Sequence, residues 1–203
     1  ETSSGLEFQM HSPFGTADIK TALHGRFNAF NVTAAIVAVT GLGFPFTEVA
    51  NAASHLLPVD GRMQEVKGGS DIRVVVDYAH TPDALASALS ALKQSCTGAL
   101  WVVFGCGGDR DAGKRPEMGR IADSLADQLV VTNDNPRSES PEMIAEDILV
   151  GISGSPCHVE LDRGAAIRHA VLNARSGDTV LVAGKGHENY QLAGENKLDF
   201  SDV

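Results

Sequence analysis

Basic charge is what this chain is shortest of: 16 Lys and Arg stand against 26 Asp and Glu, a net charge of −10 over 203 residues. A protein that tracks a nucleic-acid backbone carries a basic face, so a general phosphate-backbone binder is excluded, whereas a local basic pocket for one small anion is not. Cysteine is scarce as well. Cys96, Cys106 and Cys157 are odd in number, far apart and without a CxxC spacing. That excludes a disulfide framework and a thiolate zinc site and fits a reducing, cytoplasmic setting. No run is apolar enough for membrane insertion. The best stretch, residues 27–46, is broken by Asn28, Asn31, Thr33, Thr40 and Pro45 and reads as a buried helix. No signal peptide, internal repeat or low-complexity tract is visible. The chain opens at Glu1 inside a strand-like pattern and stops at Val203 just after another, so both ends read as cut from something longer.

What is present is punctuation: 21 Gly and 8 Pro divide the chain into short elements. Residues 6–11 and 18–23 read as two strands around a turn at Pro13, Phe14 and Gly15. An apolar helix over residues 32–42 follows, then a second that Thr47 would cap, running to about Leu57. Residues 58–61, Pro-Val-Asp-Gly, read as a linker, which puts a domain boundary near residue 60. Residues 67–70 read as a surface hairpin. Beyond the linker, strands at 72–76, 100–104, 128–132, 158–161 and 179–183 alternate with amphipathic helices. Thr81 with Pro82, Ser140 with Pro141, and Asp162 supply helix caps. Two short strands are expected around residues 190–192 and 197–200. This alternation means an α/β fold, a Rossmann-like, mostly parallel sheet with helices on both faces.

Such sheets bind ligands beyond the carboxyl ends of their strands. There the unusual polar and Gly-rich segments gather: residues 77–81, 105–110, 133–137 and 184–188. Two familiar phosphate motifs are imitated and fail. The run beginning Gly105-Cys106-Gly107 has Arg110 where a dinucleotide loop needs its third Gly, and residues 108–115, GDRDAGKR, have Arg115 where a phosphate loop needs a hydroxyl. Residues 134–137, Asp-Asn-Pro-Arg, are more informative. Arg137 offers a planar fork for a carboxylate and Asp134 an acceptor for an ammonium, a pair suited to an amino acid, although a solvated turn with a surface ion pair has the same composition. Arg110 is a candidate second carboxylate clamp, Glu188 a second ammonium acceptor, and Gly184 and Gly186 allow close approach. Asp77 at a strand end suits ribose hydroxyls and Tyr78 a base. Asn28 and Asn31, one helical turn apart, suit an adenine edge, and Arg62 suits a phosphate. His187 is as suited to a structural hydrogen bond as to catalysis.

Residues 24–31 (HGRFNAFN), 60–64 (DGRMQ), 77–82 (DYAHTP), 104–119 (FGCGGDRDAGKRPEMG), 133–141 (NDNPRSESP) and 183–188 (AGKGHE) together resemble the Mur ligase family. The resemblance implies three domains in a complete enzyme. Residues 1–60 would be the tail of the central ATP-binding domain and 61–203 a C-terminal domain truncated at its end. The UDP-binding domain, the phosphate loop and a carbamylated lysine near Mg2+ would lie elsewhere, leaving this piece inactive alone. The implied activity is ATP-dependent amide ligation through an acyl phosphate. It would add meso-diaminopimelate to UDP-N-acetylmuramoyl-L-alanyl-D-glutamate in peptidoglycan synthesis, since the DNPR run marks the branch that takes meso-diaminopimelate rather than lysine. Arg110, Asp134, Asn135, Pro136, Arg137, Gly184 and Glu188 would then bind meso-diaminopimelate. Asn28, Asn31, Arg62, Asp77, Tyr78 and His80 would touch ATP, and this chain would hold no metal of its own. A sibling ligase using lysine or another amine, and a non-catalytic binding module, are the alternative readings.

Overall fold

The computed structural model describes residues 5–66 and 71–203; the turn expected at residues 67–70 lies outside them. The chain divides into two units, Glu1–Val59 and Asp60–Val203.

In the first unit, β1 (Leu6–Ser12) and β2 (Gly15–Thr21) form an antiparallel hairpin, followed by α1 (Arg26–Gly41), α2 (Phe46–Ala52) and a single 3-10 turn. Ser12 pairs with Gly15, so the turn is tighter than the sequence implies and β2 starts three residues earlier than expected. Thr47 does not cap α2. Pro45 holds that place, and its fixed φ of −62° suits a helix entry without a side-chain hydrogen bond. Met10 and Ile19 from the hairpin meet Val32, Ile36 and Ala50 from the helices in a small core.

The second unit is the mixed α/β layer structure that the alternation dictates. Its sheet has the order β3-β4-β8-β5-β6-β7. β4 (Arg73–Asp77), β8 (Thr179–Ala183), β5 (Leu100–Phe104), β6 (Gln128–Val131) and β7 (Cys157–Val159) run parallel, and β3 (Gln64–Val66) pairs antiparallel at one edge. β3 escaped the sequence because three residues, one of them Glu65, carry no usable alternation.

The strands read as continuous apolar runs because both faces are covered. Leu100, Val102 and Phe104 point to the side holding α3 (Pro82–Ser95), α4 (Lys114–Leu125) and α5 (Pro141–Leu149). Trp101 and Val103 point to the side holding α6 (Arg163–Asn173). Thr81, Ser140 and Asp162 each accept a first-turn N–H, from Ala84, Met143 and Ala165 respectively. Burying each Leu, Val or Ile of these layers is worth about 1.5–3 kcal/mol. No helix among the described residues is long and apolar enough to cross a membrane. A last hairpin, β9 (Tyr190–Ala193) and β10 (Asn196–Asp199), stands apart from the main sheet.

One surface contact ties β7 to α6. His158 and His169 stack with ring centroids 3.8 Å apart and planes 14° apart. Burial, followed by the neighbouring His158, holds the His169 ring below its usual pKa of 6.5, with Glu160 opposing. A base with a depressed folded pKa binds its proton more readily when unfolded. Its contribution is therefore whole above the unfolded pKa and is lost as pH falls below it. We expect the melting temperature to drop between pH 7.5 and 5.5 more steeply in the native chain than in His169→Gln; parallel pH profiles would refute the coupling.

Candidate functional site

Because β8 lies between β4 and β5, the loops beyond the carboxyl ends follow one another as 77–81, 184–188, 105–110 and 133–137. The loops after β8 and β6 flank the end of β5, where only Gly105, Cys106, Gly107 and Gly108 stand. Those glycines explain the failed phosphate motifs. The Gly108 N–H donates to the Asn135 carbonyl at 2.9 Å, and a Cβ on Gly108 would lie 1.9 Å from the Pro136 carbonyl oxygen. The run is shaped for a neighbouring loop. Arg115, which stands in the hydroxyl position of the imitated phosphate loop, is buried between Glu139 (2.8 Å) and Asp147 (2.9 Å).

Three non-glycine residues among those described have positive φ: Met63 (48°), Asp109 (54°) and Arg137 (53°). All three lie at this edge, and such backbone costs about 1–3 kcal/mol each unless the surroundings hold it. Here they do. The Asp109 carboxylate accepts the Ser138 hydroxyl at 2.6 Å and the Ser138 N–H at 3.2 Å, which hold its pKa below the usual carboxylate value. Arg137 is held by β9: its N–H donates to the Leu192 carbonyl, and its own carbonyl accepts the Gly194 N–H.

The Arg137 side chain donates through Nη1 to the carbonyls of Gly108 (2.7 Å) and Asn135 (3.4 Å). Nε and Nη2 make no hydrogen bond among the described residues. Arg110 rises beside it, for a Cβ on Gly107 would lie 2.9 Å from Arg137 Nη1 and 3.7 Å from Arg110 Cγ. Asp134 is only 8% exposed, yet no hydrogen bond among the described residues reaches its carboxylate. That carboxylate lies over Gly184, where a Cβ would come within 2.6 Å of Oδ2. Pro136 is buried and stiffens the loop between these two charges.

Asn135 and Glu188 meet directly, with Asn135 Nδ2 donating to Glu188 Oε2 at 3.0 Å. The sequence reading missed what lies between them. Lys185 has no exposed surface, and its ammonium donates to Asn135 Oδ1 at 3.0 Å and to Glu188 Oε2 at 3.3 Å. Glu188 is thus already partnered by a cation. Arg163 was also missed. Its buried guanidinium donates a bidentate pair of hydrogen bonds to the Asp202 carboxylate at 2.7 and 2.8 Å and donates to the carbonyls of Asn133 and Ala183, tying the ends of β6 and β8. Neither residue had a sequence signal, because both look like ordinary surface cations beside a glycine or a helix start.

On the other side, Asp77 is buried and accepts the N–H groups of Met63 (Oδ2) and Ala79 (Oδ1), both at 2.8 Å. Burial raises its pKa, with those amides and Arg62 opposing. The Arg62 guanidinium sits 4.6 Å from the Tyr78 ring centre, with His80 edge-on at 4.6 Å and His187 at 5.4 Å. Asn28 and Asn31 belong to the first unit. Asn28 Nδ2 donates to the His24 carbonyl at 2.7 Å, and Asn31 Nδ2 to Asn28 Oδ1 at 3.1 Å, so the carboxamides partly serve the helix start.

Residues 61–186 match the model of the Mur ligase glutamate ligase domain. The chain belongs to the Mur ligase family. It is 50% identical, over 99% of its length, to the UDP-N-acetylmuramoyl-L-alanyl-D-glutamate–2,6-diaminopimelate ligase of Chromobacterium violaceum. It is 48% identical, over 98% of its length, to the ligase of the same name from Vibrio vulnificus. The chain spans 41% of the length of each of these two relatives. A solved structure of such a ligase superposes with a TM-score of 0.70 at 42% identity, covering 98% of this chain and 41% of that one. Arg163 anchors two of the loops at this edge through the Asn133 and Ala183 carbonyls. Asp202→Ala leaves that guanidinium buried without its bidentate carboxylate, bonded only to the Asn133 and Ala183 carbonyls. We expect a loss of about 3–5 kcal/mol in urea unfolding; a loss below 1 kcal/mol would show that the pair does not hold the edge together.

Proposed function

We propose that this chain is the amino-acid-binding part of an ATP-dependent ligase that joins meso-diaminopimelate to UDP-N-acetylmuramoyl-L-alanyl-D-glutamate during peptidoglycan synthesis. Residues 1–60 are read as the tail of the central nucleotide-binding domain and residues 61–203 as the C-terminal domain. One observation carries the reading: a single stiff loop presents, three residues apart, an unsatisfied guanidinium edge on Arg137 and an unbonded, largely buried carboxylate on Asp134. That is the complement of the α-carboxylate and α-ammonium of an amino acid, and Arg110 adds a second cation beside Arg137. The names of the relatives at 50% and 48% identity support it.

Meso-diaminopimelate has an amino-acid head at each end. Holding one head in this pocket leaves the amine of the other free to attack. When the α-amine is the attacking group, lysine presents only its ε-ammonium to this pocket and leaves the free edge of Arg137 without a carboxylate. Sites built to bond a charged or polar group reject analogues lacking it by ~10⁴ or more. ATP, when bound, supplies the phosphoryl group that converts the D-glutamate γ-carboxylate into an acyl donor. The residues here fit a nucleotide. Each Asp77 oxygen accepts one backbone N–H and keeps a lone pair for a ribose hydroxyl, while Tyr78 offers a ring face and Arg62 and His80 offer donors. Among the described residues no three His, Cys, Asp or Glu side chains converge, and Mg2+ is read as held mainly by the part of the ligase outside this chain, so no step here is assigned to the ion. The part this chain plays is orientation, which is worth ~7–11 kcal/mol when the reacting atoms are held in line. Free thiols at Cys96, Cys106 and Cys157 agree with a cytoplasmic setting.

The test is Arg137→Ala in the complete ligase, with steady-state kinetics for each substrate. We expect the KM for meso-diaminopimelate to rise on the order of 10²-fold, since removing one partner of a buried charged bond costs 2–5 kcal/mol. The KM for the UDP-linked precursor should stay within about twofold of normal. An unchanged requirement for meso-diaminopimelate would overturn the assignment.

A further inference from the structure

We infer that Lys185 is the positioning residue of this amino-acid pocket, acting through Asn135 and Glu188 without touching the ligand. The inference rests on the reading of the pocket just given and assigns a role to a residue outside the set expected to bind meso-diaminopimelate.

Asn135 is the hinge of the case. Its Oδ1 accepts from the Lys185 ammonium at 3.0 Å and from the Leu192 N–H at 2.9 Å, which uses both lone pairs of a carbonyl oxygen. Its Nδ2 donates to Glu188 at 3.0 Å, leaving one N–H. The carboxamide cannot be turned over, since a flip would set NH2 against an ammonium and an amide N–H. Its backbone is bound as well: the Asn135 carbonyl accepts from the Gly108 N–H at 2.9 Å and from Arg137 Nη1 at 3.4 Å. Asn135 therefore has a single orientation, and one free N–H remains for a ligand oxygen.

Lys185 supplies the force that keeps this orientation. An ammonium with no exposed surface is stable only when it is fully bonded and paired. Its partners are the Asn135 oxygen, the Glu188 carboxylate and the ring of Tyr190, 5.6 Å away. Glu188 is thereby drawn toward Asn135 and largely neutralised. Asp134, which shares the field of the Arg163 guanidinium but accepts no hydrogen bond at its carboxylate among the described residues, is the acidic group left with free acceptors for an incoming ammonium. Gln191 Nε2 completes the clamp by donating to the Asp134 carbonyl at 2.7 Å. The β6 loop is thus fixed at Asp134, Asn135 and Arg137 by the segment that follows β8.

The test compares Lys185→Met with the native chain. Amide hydrogen exchange at Leu192 and Gly108 should become at least tenfold faster, with β5 and β8 amides keeping native protection. Calorimetry should show meso-diaminopimelate binding weakened at least tenfold and its preference over lysine reduced. Unchanged exchange at Leu192 and Gly108, or intact meso-diaminopimelate preference, would overturn the role of Lys185. A native chain that binds no meso-diaminopimelate would instead overturn the reading of the pocket, and the positioning role with it, even if exchange at Leu192 and Gly108 responds. Should Lys185→Met fail to fold, Lys185→Met with Glu188→Gln removes both charges of the pair, and the same exchange comparison decides: fast Leu192 and Gly108 amides support the role, slow ones refute it.

Discussion

A cation without solvent sits under the rim of this sheet, and the loops above it are arranged to satisfy it. An unpaired ammonium there would be untenable, so the Lys185 position imposes Asn135 and Glu188 as neighbours. Once Asn135 is fixed, the rest of its loop has little freedom. Its carbonyl faces Gly108, its oxygen faces Leu192, and Arg137 two residues on is forced into left-handed backbone that β9 then stabilises. Satisfied polar networks in low dielectric are rigid for this reason, and rigidity is what a recognition site needs.

The topology makes the network possible. β6 and β8 are not neighbours; β5 separates them. Their loops meet only because the chain beyond β5 is nearly free of side chains at Gly105, Gly107 and Gly108. The same glycines produced the false likeness to a phosphate loop. Glycine before a helix marks close approach of something, and the sequence does not say whether that is a ligand or another piece of backbone. Here, at Gly108, it is the Pro136 carbonyl.

That ambiguity sets the limit of what could be read from residues alone. The parallel strands, their helices and three helix caps were legible because apolar periodicity and Ser, Thr or Asp before a helix have local causes. The four site-bearing loops were legible because sheet geometry sends them to one edge whatever the strand order. The strand order itself was not, since it depends on how β8 inserts between β4 and β5. Lys185 and Arg163 were invisible for a related reason. A lysine in Gly-Lys-Gly and an arginine at a helix start look solvated, and only the fold shows that each turns inward to carbonyls and carboxylates from distant segments. Asp134, Arg137 and Glu188 were proposed from their types and the fold brings them to one edge, but the hydrogen-bond partners that distinguish them were not legible.

That division follows from counting partners rather than charges. Four groups near the pocket are acidic or basic enough to bind an amino-acid head: Arg110, Arg137, Asp134 and Glu188. Glu188 already has an ammonium and a carboxamide, so its capacity to bind another cation is reduced. Asp134 has neither, although it is nearly as buried as the core. Its carboxylate lies near the Arg163 guanidinium and accepts no hydrogen bond among the described residues, so its acceptor capacity is open to an arriving ammonium. Arg137 has the matching excess, with one edge of its guanidinium held by carbonyls and the other unused. On the proposed reading, a zwitterion would engage both residual groups at once, whereas a simple amine or a simple carboxylate would engage only one. On that reading, a chain with a net charge of −10 would discriminate in this way because selectivity would rest on two residual groups in one loop, with little dependence on the overall charge.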